Sequence, residues 1–124
     1  MHTLDIVLII ITVSFAAMGL MAIFAPLRVT EQFGISSLTV DGRNEVRAVY
    51  GGFGLTVAVA LGLAFTLDEV RAGICIAIAL ALAGMAIGRL ISAALDLHIG
   101  YWPIRYLFIE VFAAVGLFYA GGII

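Results

Sequence analysis

The chain has 124 residues, of which 65% are hydrophobic and 11% charged, and its formal net charge is −2. Soluble domains are roughly 45–50% apolar and about 25% charged, so the composition excludes an ordinary soluble domain. All six cationic side chains are arginines, and they form no basic cluster of the kind that a nucleic-acid-binding surface needs. The single cysteine, Cys75, permits neither an intrachain disulfide nor a cysteine-based metal cage.

The apolar residues fall into four runs, at about 4–25, 46–67, 72–95 and 104–124. As a helix, each run is long enough to cross a hydrocarbon core of about 30 Å. The first run lacks a positively charged start and is too long for a signal peptide, so we expect it to be retained. The runs use most of the chain, which predicts one all-α domain, residues 1–124. Its expected architecture is a transmembrane up-down four-helix bundle.

The connection between the first and second runs is the longest polar stretch. Its mixture of charged and apolar side chains predicts a short interfacial helix that starts at Pro26 and stops at Gly34. A turn is expected around Asp41–Gly42.

The arginines are distributed unequally between the two sides of such a bundle. Five of them lie in or near the connections on one side: Arg28, Arg43, Arg47, Arg89 and Arg105. Since cytoplasmic loops carry an excess of positive charge, this side is predicted to be cytoplasmic and both termini to lie outside.

Small residues recur every four positions in the second and third runs. They are Gly54, Ala58 and Gly62, followed by Gly84, Gly88 and Ser92. Such stripes allow helix backbones to approach closely in lipid, so we expect tight packing within the chain. The alternative is a homo-oligomer formed through these faces.

Ionisable and tyrosine side chains from three helices converge on the arginine-rich side. The candidate site residues are Glu45, Arg47, Tyr50, Arg89, Asp96, Tyr106 and Glu110. Arg89 is the side chain least able to reach the interface, because it is about 10 Å below Asp96 and its side chain leans further into the membrane. An unpaired arginine at the bilayer centre costs about 2.5–3.5 kcal/mol, so a carboxylate partner is expected, either Glu45 or Glu110.

Two segments also resemble a known family. Glu45–Phe53 (EVRAVYGGF) and Ala83–Leu90 (AGMAIGRL) look like the signature segments of the bacterial domain-of-unknown-function family 4345. The resemblance covers nearly the whole chain and implies a small four-helix bacterial membrane protein, without an activity. We expect the protein in the bacterial inner membrane. The layout is more distantly similar to DoxX-like and EXPERA-like membrane proteins, some of which bind sterols or other lipophiles. No EXPERA aspartate motif is present, so that similarity concerns the fold alone.

The sequence contains no motif for a cofactor, a metal or a catalytic group. His98 has no second histidine or cysteine nearby, and Ser14 and Ser92 have no histidine close in sequence. We therefore favour a protein that contacts membrane lipids and binds a lipophilic small molecule over a charged pocket floor. The alternative is a structural or accessory subunit whose ion pairs only hold helices together. A small membrane enzyme or a proton-coupled transporter is a third hypothesis.

Overall fold

A computed structural model describes residues 3–124, which leaves Met1 and His2 outside the described range. Over residues 3–124 the secondary structure is helical and contains no strand, as the sequence predicts. The elements are α1 (Thr3–Phe24), α2 (Pro26–Glu31), α3 (Val40–Val46), a π-helical segment (Arg47–Gly52), α4 (Phe53–Thr66), α5 (Asp68–Asp96) and α6 (Tyr101–Ala120). The predicted short helix between the first two long helices is present as α2.

Four long helices are apolar enough to cross a membrane. They are α1, the continuous stretch Val40–Thr66 that joins α3 to α4, α5 and α6, with mean hydropathies of 2.7, 1.8, 2.3 and 1.5. Large apolar side chains project outward from them: Leu95 is 78% exposed and Phe112 is 73% exposed. Such surfaces suit contact with lipid rather than water. The chain is a multi-pass membrane protein with the four long helices that a four-helix bundle requires.

The second long helix begins earlier than predicted. The Thr39 hydroxyl caps α3 by accepting a hydrogen bond of 3.0 Å from the Gly42 amide. Asp41 lies in the first turn, where the helix dipole favours an acidic side chain. The predicted turn at Asp41–Gly42 is therefore wrong, because these two residues belong to the first turn of α3.

Prolines set two other helix boundaries. Ala25, with φ −139° and ψ 63°, breaks the helix because a residue before proline avoids the helical region. Pro103 lies inside the first turn of α6, where no intrahelical N–H is needed, so this helix begins at Tyr101 rather than at 104.

The helices form two compact units. In the first, which comprises Leu63–Ile124 and the start of α1 up to Leu8, α5 packs along α6. Its buried residues include Cys75, Ala79, Leu82, Ala86, Ala114 and Leu117. A Cβ on Gly116 would lie only 2.9 Å from Val7 Cγ1, so α6 and the start of α1 meet closely there.

In the second unit, Ile9–Gly62, the end of α1 packs against the π-helical segment and α4. A Cβ on Gly19 would lie 2.8 Å from Leu55 Cγ and 2.9 Å from the Gly51 carbonyl oxygen. A Cβ on Gly51 would in turn lie 2.7 Å from Ile23 Cδ1. These contacts leave no room for larger side chains, so glycine is needed where the backbones approach.

The glycines of the two small-residue stripes differ in how closely they pack. Gly54 packs within the chain, because a Cβ there would lie 3.2 Å from the Phe15 carbonyl oxygen. Cβ atoms on Gly62, Gly84 and Gly88 would meet nothing within 4 Å. The expectation of tight packing within the chain is therefore wrong for these three glycines.

The contrast between crowded and open glycines gives a testable prediction. Gly19→Leu overpacks the contact between α1 and α4, so we expect the free energy of unfolding to fall by about 1–3 kcal/mol. Gly62→Leu is the matched control, because a Cβ at Gly62 meets nothing within 4 Å. Unfolding by SDS titration in mixed micelles, followed by circular dichroism, measures both. Equal stability of the two variants would contradict the described packing.

Candidate functional site

A salt bridge joins α5 to α6. Arg89 Nε donates to both carboxylate oxygens of Glu110, at 2.9 Å and 2.8 Å, and Arg89 Nη2 donates to Oε1 at 2.7 Å. The Glu110 side chain is 5% exposed and the Arg89 side chain 23% exposed. Charge-assisted pairs with several hydrogen bonds are among the strong interactions between side chains.

The turn between α5 and α6 brings these two residues level. α5 ends at Leu97, which adopts a left-handed conformation with φ 53°, and α6 starts after the extended Gly100. The short connection forces the helices to run antiparallel, so a residue before the turn faces a residue after it. The sequence offers two carboxylates as partners of Arg89, Glu45 and Glu110. In the structure the partner is Glu110.

Aromatic rings surround the arginines near the start of α6. Arg89 Cζ lies 5.5 Å from the centroid of the Tyr106 ring. Arg105 Cζ lies 5.1 Å from both the Tyr101 and Trp102 ring centroids, and its guanidinium donates a hydrogen bond to the Tyr101 hydroxyl. Such contacts are attractive, because the negative face of an aromatic ring favours a nearby cation. Tyrosine and tryptophan are also the residues enriched where a membrane meets water.

A cavity of about 340 Å³ opens beside the salt bridge. It lies between the last turns of α5, the connection and the first turn of α6. Its lining residues are Gly88, Arg89, Ser92, Ala93, His98, Ile99, Gly100 and Pro103. Arg89 therefore takes part in both features: it holds Glu110 and it lines the cavity. Glu110 is not among the lining residues.

The remaining candidate residues have other surroundings. Asp96, the last residue of α5, is exposed and does not line the cavity. Glu45, Arg47 and Tyr50 belong to the second compact unit. Arg47 Nε donates a 2.9 Å hydrogen bond to the Ile23 carbonyl oxygen, close to the end of α1, where helix carbonyls lack intrahelical partners.

Tyr50 and Glu45 differ in exposure. Tyr50 packs against the buried cluster of Ala22, Val29 and Val46. Glu45 is exposed. The structure thus brings together Arg89, Tyr106 and Glu110 within the first unit, whereas Arg47 and Tyr50 stabilise the second.

Comparison with known proteins identifies the family. The model of the family described as "Domain of unknown function (DUF4345)" matches residues 3–120. The chain belongs to this family. No curated protein and no solved structure matches the chain. Two segments resemble the DUF4345 signature. Glu45–Phe53 includes the whole π-helical segment, and Ala83–Leu90 is the part of α5 that carries Arg89.

Several cavity residues of this DUF4345 protein were not among the candidates from the sequence. Ser92 lies one turn after Arg89 on the same helical face, and this spacing was a usable signal. His98, Gly100 and Pro103 reach the cavity only through the turn between α5 and α6, which local sequence does not reveal. Among residues 3–124, no three His, Cys, Asp or Glu side chains are grouped so as to hold a metal ion.

The salt bridge predicts non-additive effects of mutation. Arg89→Leu alone leaves the Glu110 carboxylate buried without its partner, which is expected to cost about 3–5 kcal/mol of unfolding free energy. Arg89→Leu combined with Glu110→Gln removes both charges and should unfold much closer to the wild type. SDS titration measures the free energy of unfolding of each variant. Reaction of the Cys75 thiol, which is fully buried in the same unit, reports unfolding.

A Cys75→Ala protein, which should give no thiol signal, is the control for this readout. If the double variant were as unstable as the single one, the pair would not act as a unit.

Proposed function

We propose that this protein binds a lipid-like or other lipophilic small molecule, whose polar head enters the cavity between α5 and α6. The observation that carries this proposal is the position of Arg89 on the cavity wall. Ionisable side chains within a membrane are costly, and they often mark a binding site or a transport path. A purely structural ion pair needs no adjoining cavity.

The size and surroundings of the cavity support a head group rather than a whole lipid. Ligand pockets usually measure about 300–1,000 Å³, so 340 Å³ is near the lower end. Exposed apolar side chains on the same two helices, such as Ile91 at 55% and Phe108 at 56%, offer surface for an alkyl tail. The tail would then lie among membrane lipids while the head contacts the polar lining.

We further propose that the protein resides in the bacterial inner membrane with both termini outside. The orientation rests on the excess of arginines near the α1–α3 and α5–α6 connections, because positive loops tend to remain cytoplasmic. The assignment to the bacterial inner membrane rests on the family resemblance.

A structural or accessory role is the second candidate, and the open face of α5 favours it. Gly73, Gly84 and Gly88 would each accept a Cβ without any contact within 4 Å. A small-residue face of this kind fits closely against another transmembrane helix, either from a second copy or from a partner protein.

One pair of substitutions distinguishes the two candidates. Gly88→Leu places a large side chain in the cavity lining, whereas Gly84→Leu changes the same α5 face one turn away without lining the cavity. A Cβ at either position would meet nothing within 4 Å, so we expect both proteins to fold. Native mass spectrometry in mild detergent is expected to find a copurified lipophile on the wild type and on Gly84→Leu, and to find it lost from Gly88→Leu.

Other results of this experiment would count against ligand binding. A wild type that carries no lipophile, even after incubation with membrane lipid extract, would overturn the proposal. Loss of an oligomer in both variants, with no change in bound lipid, would support the accessory role instead.

Topology gives a separate prediction. In a Cys75→Ala background, cysteines introduced at Ser37 and at Ile124 should react oppositely with an impermeant thiol reagent in intact cells. Ile124→Cys should be labelled from outside, and Ser37→Cys only after the cells are lysed. The Cys75→Ala protein without added cysteine controls for background. Labelling of Ser37→Cys in intact cells would reverse the assigned orientation.

A further inference from the structure

The chemistry of the cavity lining is one-sided. Three of the lining residues, Arg89, Ser92 and His98, have side chains that can donate hydrogen bonds. The eight lining residues include no aspartate and no glutamate. A cationic head group would therefore find no carboxylate within the lining, whereas an anionic one would find several donors.

The Arg89–Glu110 pair offsets the charge of the guanidinium but adds no acceptor to the lining. Glu110 approaches Arg89 through Nε and Nη2 and is itself 4% exposed, so its carboxylate is directed at the guanidinium and is absent from the lining. The pair fixes the guanidinium in one orientation. A fixed donor binds an anion with less loss of side-chain freedom than a mobile one.

The start of α6 contributes positive character to the cavity. Gly100 and Pro103, at the beginning of this 20-residue helix, both line it. Gly100 supplies no side-chain cap, and the first backbone bond of the helix is donated by Ile104 to the Gly100 carbonyl oxygen. The N-terminal end of a helix carries partial positive charge, which favours a nearby anion.

We infer that the lipophile bound by this protein is an amphiphile with an anionic head, a carboxylate or a phosphate, held by Arg89, Ser92 and His98. This inference rests on the proposed function and specifies the class of its ligand. A fatty acid and a lysophospholipid with a terminal phosphate both have the required chemistry. Neutral amphiphiles, such as a monoacylglycerol, have the same tail without the charge.

The position of the only tryptophan in the chain provides the test. Trp102 lies between the lining residues Gly100 and Pro103, so a ligand in the cavity should alter its fluorescence. The probes are a fatty acid brominated in its chain and the glycerol monoester of the same acid, because bromine quenches tryptophan at short range. The purified full chain, in nanodiscs of zwitterionic lipid at neutral pH, is titrated with each probe.

We expect the acid to quench Trp102 saturably at a concentration about tenfold below that of the ester, the size of effect of one charge-assisted hydrogen bond. His98→Glu adds a carboxylate to the lining and should abolish the preference by weakening binding of the acid alone. His98→Gln, the matched control, retains hydrogen bonding without negative charge and should keep the preference. His98 is exposed, so neither substitution is expected to disturb folding.

The possible results separate the two levels of the proposal. Equal saturable quenching by acid and ester in the wild type would overturn the anionic head group and leave lipophile binding intact. If neither probe quenches Trp102 more than probe that is simply dissolved in the nanodisc bilayer, the proposed function itself is overturned. Inorganic phosphate tests the source of the anion: displacement of the acid by equimolar phosphate would support an anion site but overturn its assignment to a lipid.

Discussion

The salt bridge between Arg89 and Glu110 is the interaction on which the first unit depends. Glu110 is almost fully buried between apolar helices, and without a cation its charge would be strongly destabilising. The pair therefore ties the end of α5 to α6 in one register. The turn through Leu97–Gly100 and the first turn of α6 lie roughly two to three helical turns from this contact, and Arg89 itself lines the cavity.

Different interactions hold the helices together in the two compact units. Lipid provides no hydrophobic force between helices, so packing and polar contacts must supply the attraction. The first unit relies on a charged pair. The second relies on glycines that let α1 approach the π-helical segment, where Arg47 also binds an α1 carbonyl. Both segments that resemble the family signature coincide with these contacts, which gives each of them a structural reason.

Arg89 combines a structural with a binding role in the proposed function. Its guanidinium binds Glu110 and lies near the Tyr106 ring, and the residue also borders the cavity. A positioned charge of this kind can orient a ligand head while apolar helix surfaces contact the tail. The same geometry explains why removing the arginine alone is a poor test of function, since it destabilises the helix pair as well.

The sequence by itself determined the four long helices, the short α2 and the need for a carboxylate near Arg89, because run length, proline position and charge are local properties. It did not determine that α3 begins directly after Thr39, because this boundary depends on one hydrogen bond from the Gly42 amide to the Thr39 hydroxyl. Only the tertiary structure selected Glu110 as the partner, left Gly84 and Gly88 facing open space, and brought His98 to the same cavity as Ser92. These outcomes depend on how each helix is rotated and how the α5–α6 turn closes, and helical periodicity alone leaves both undetermined.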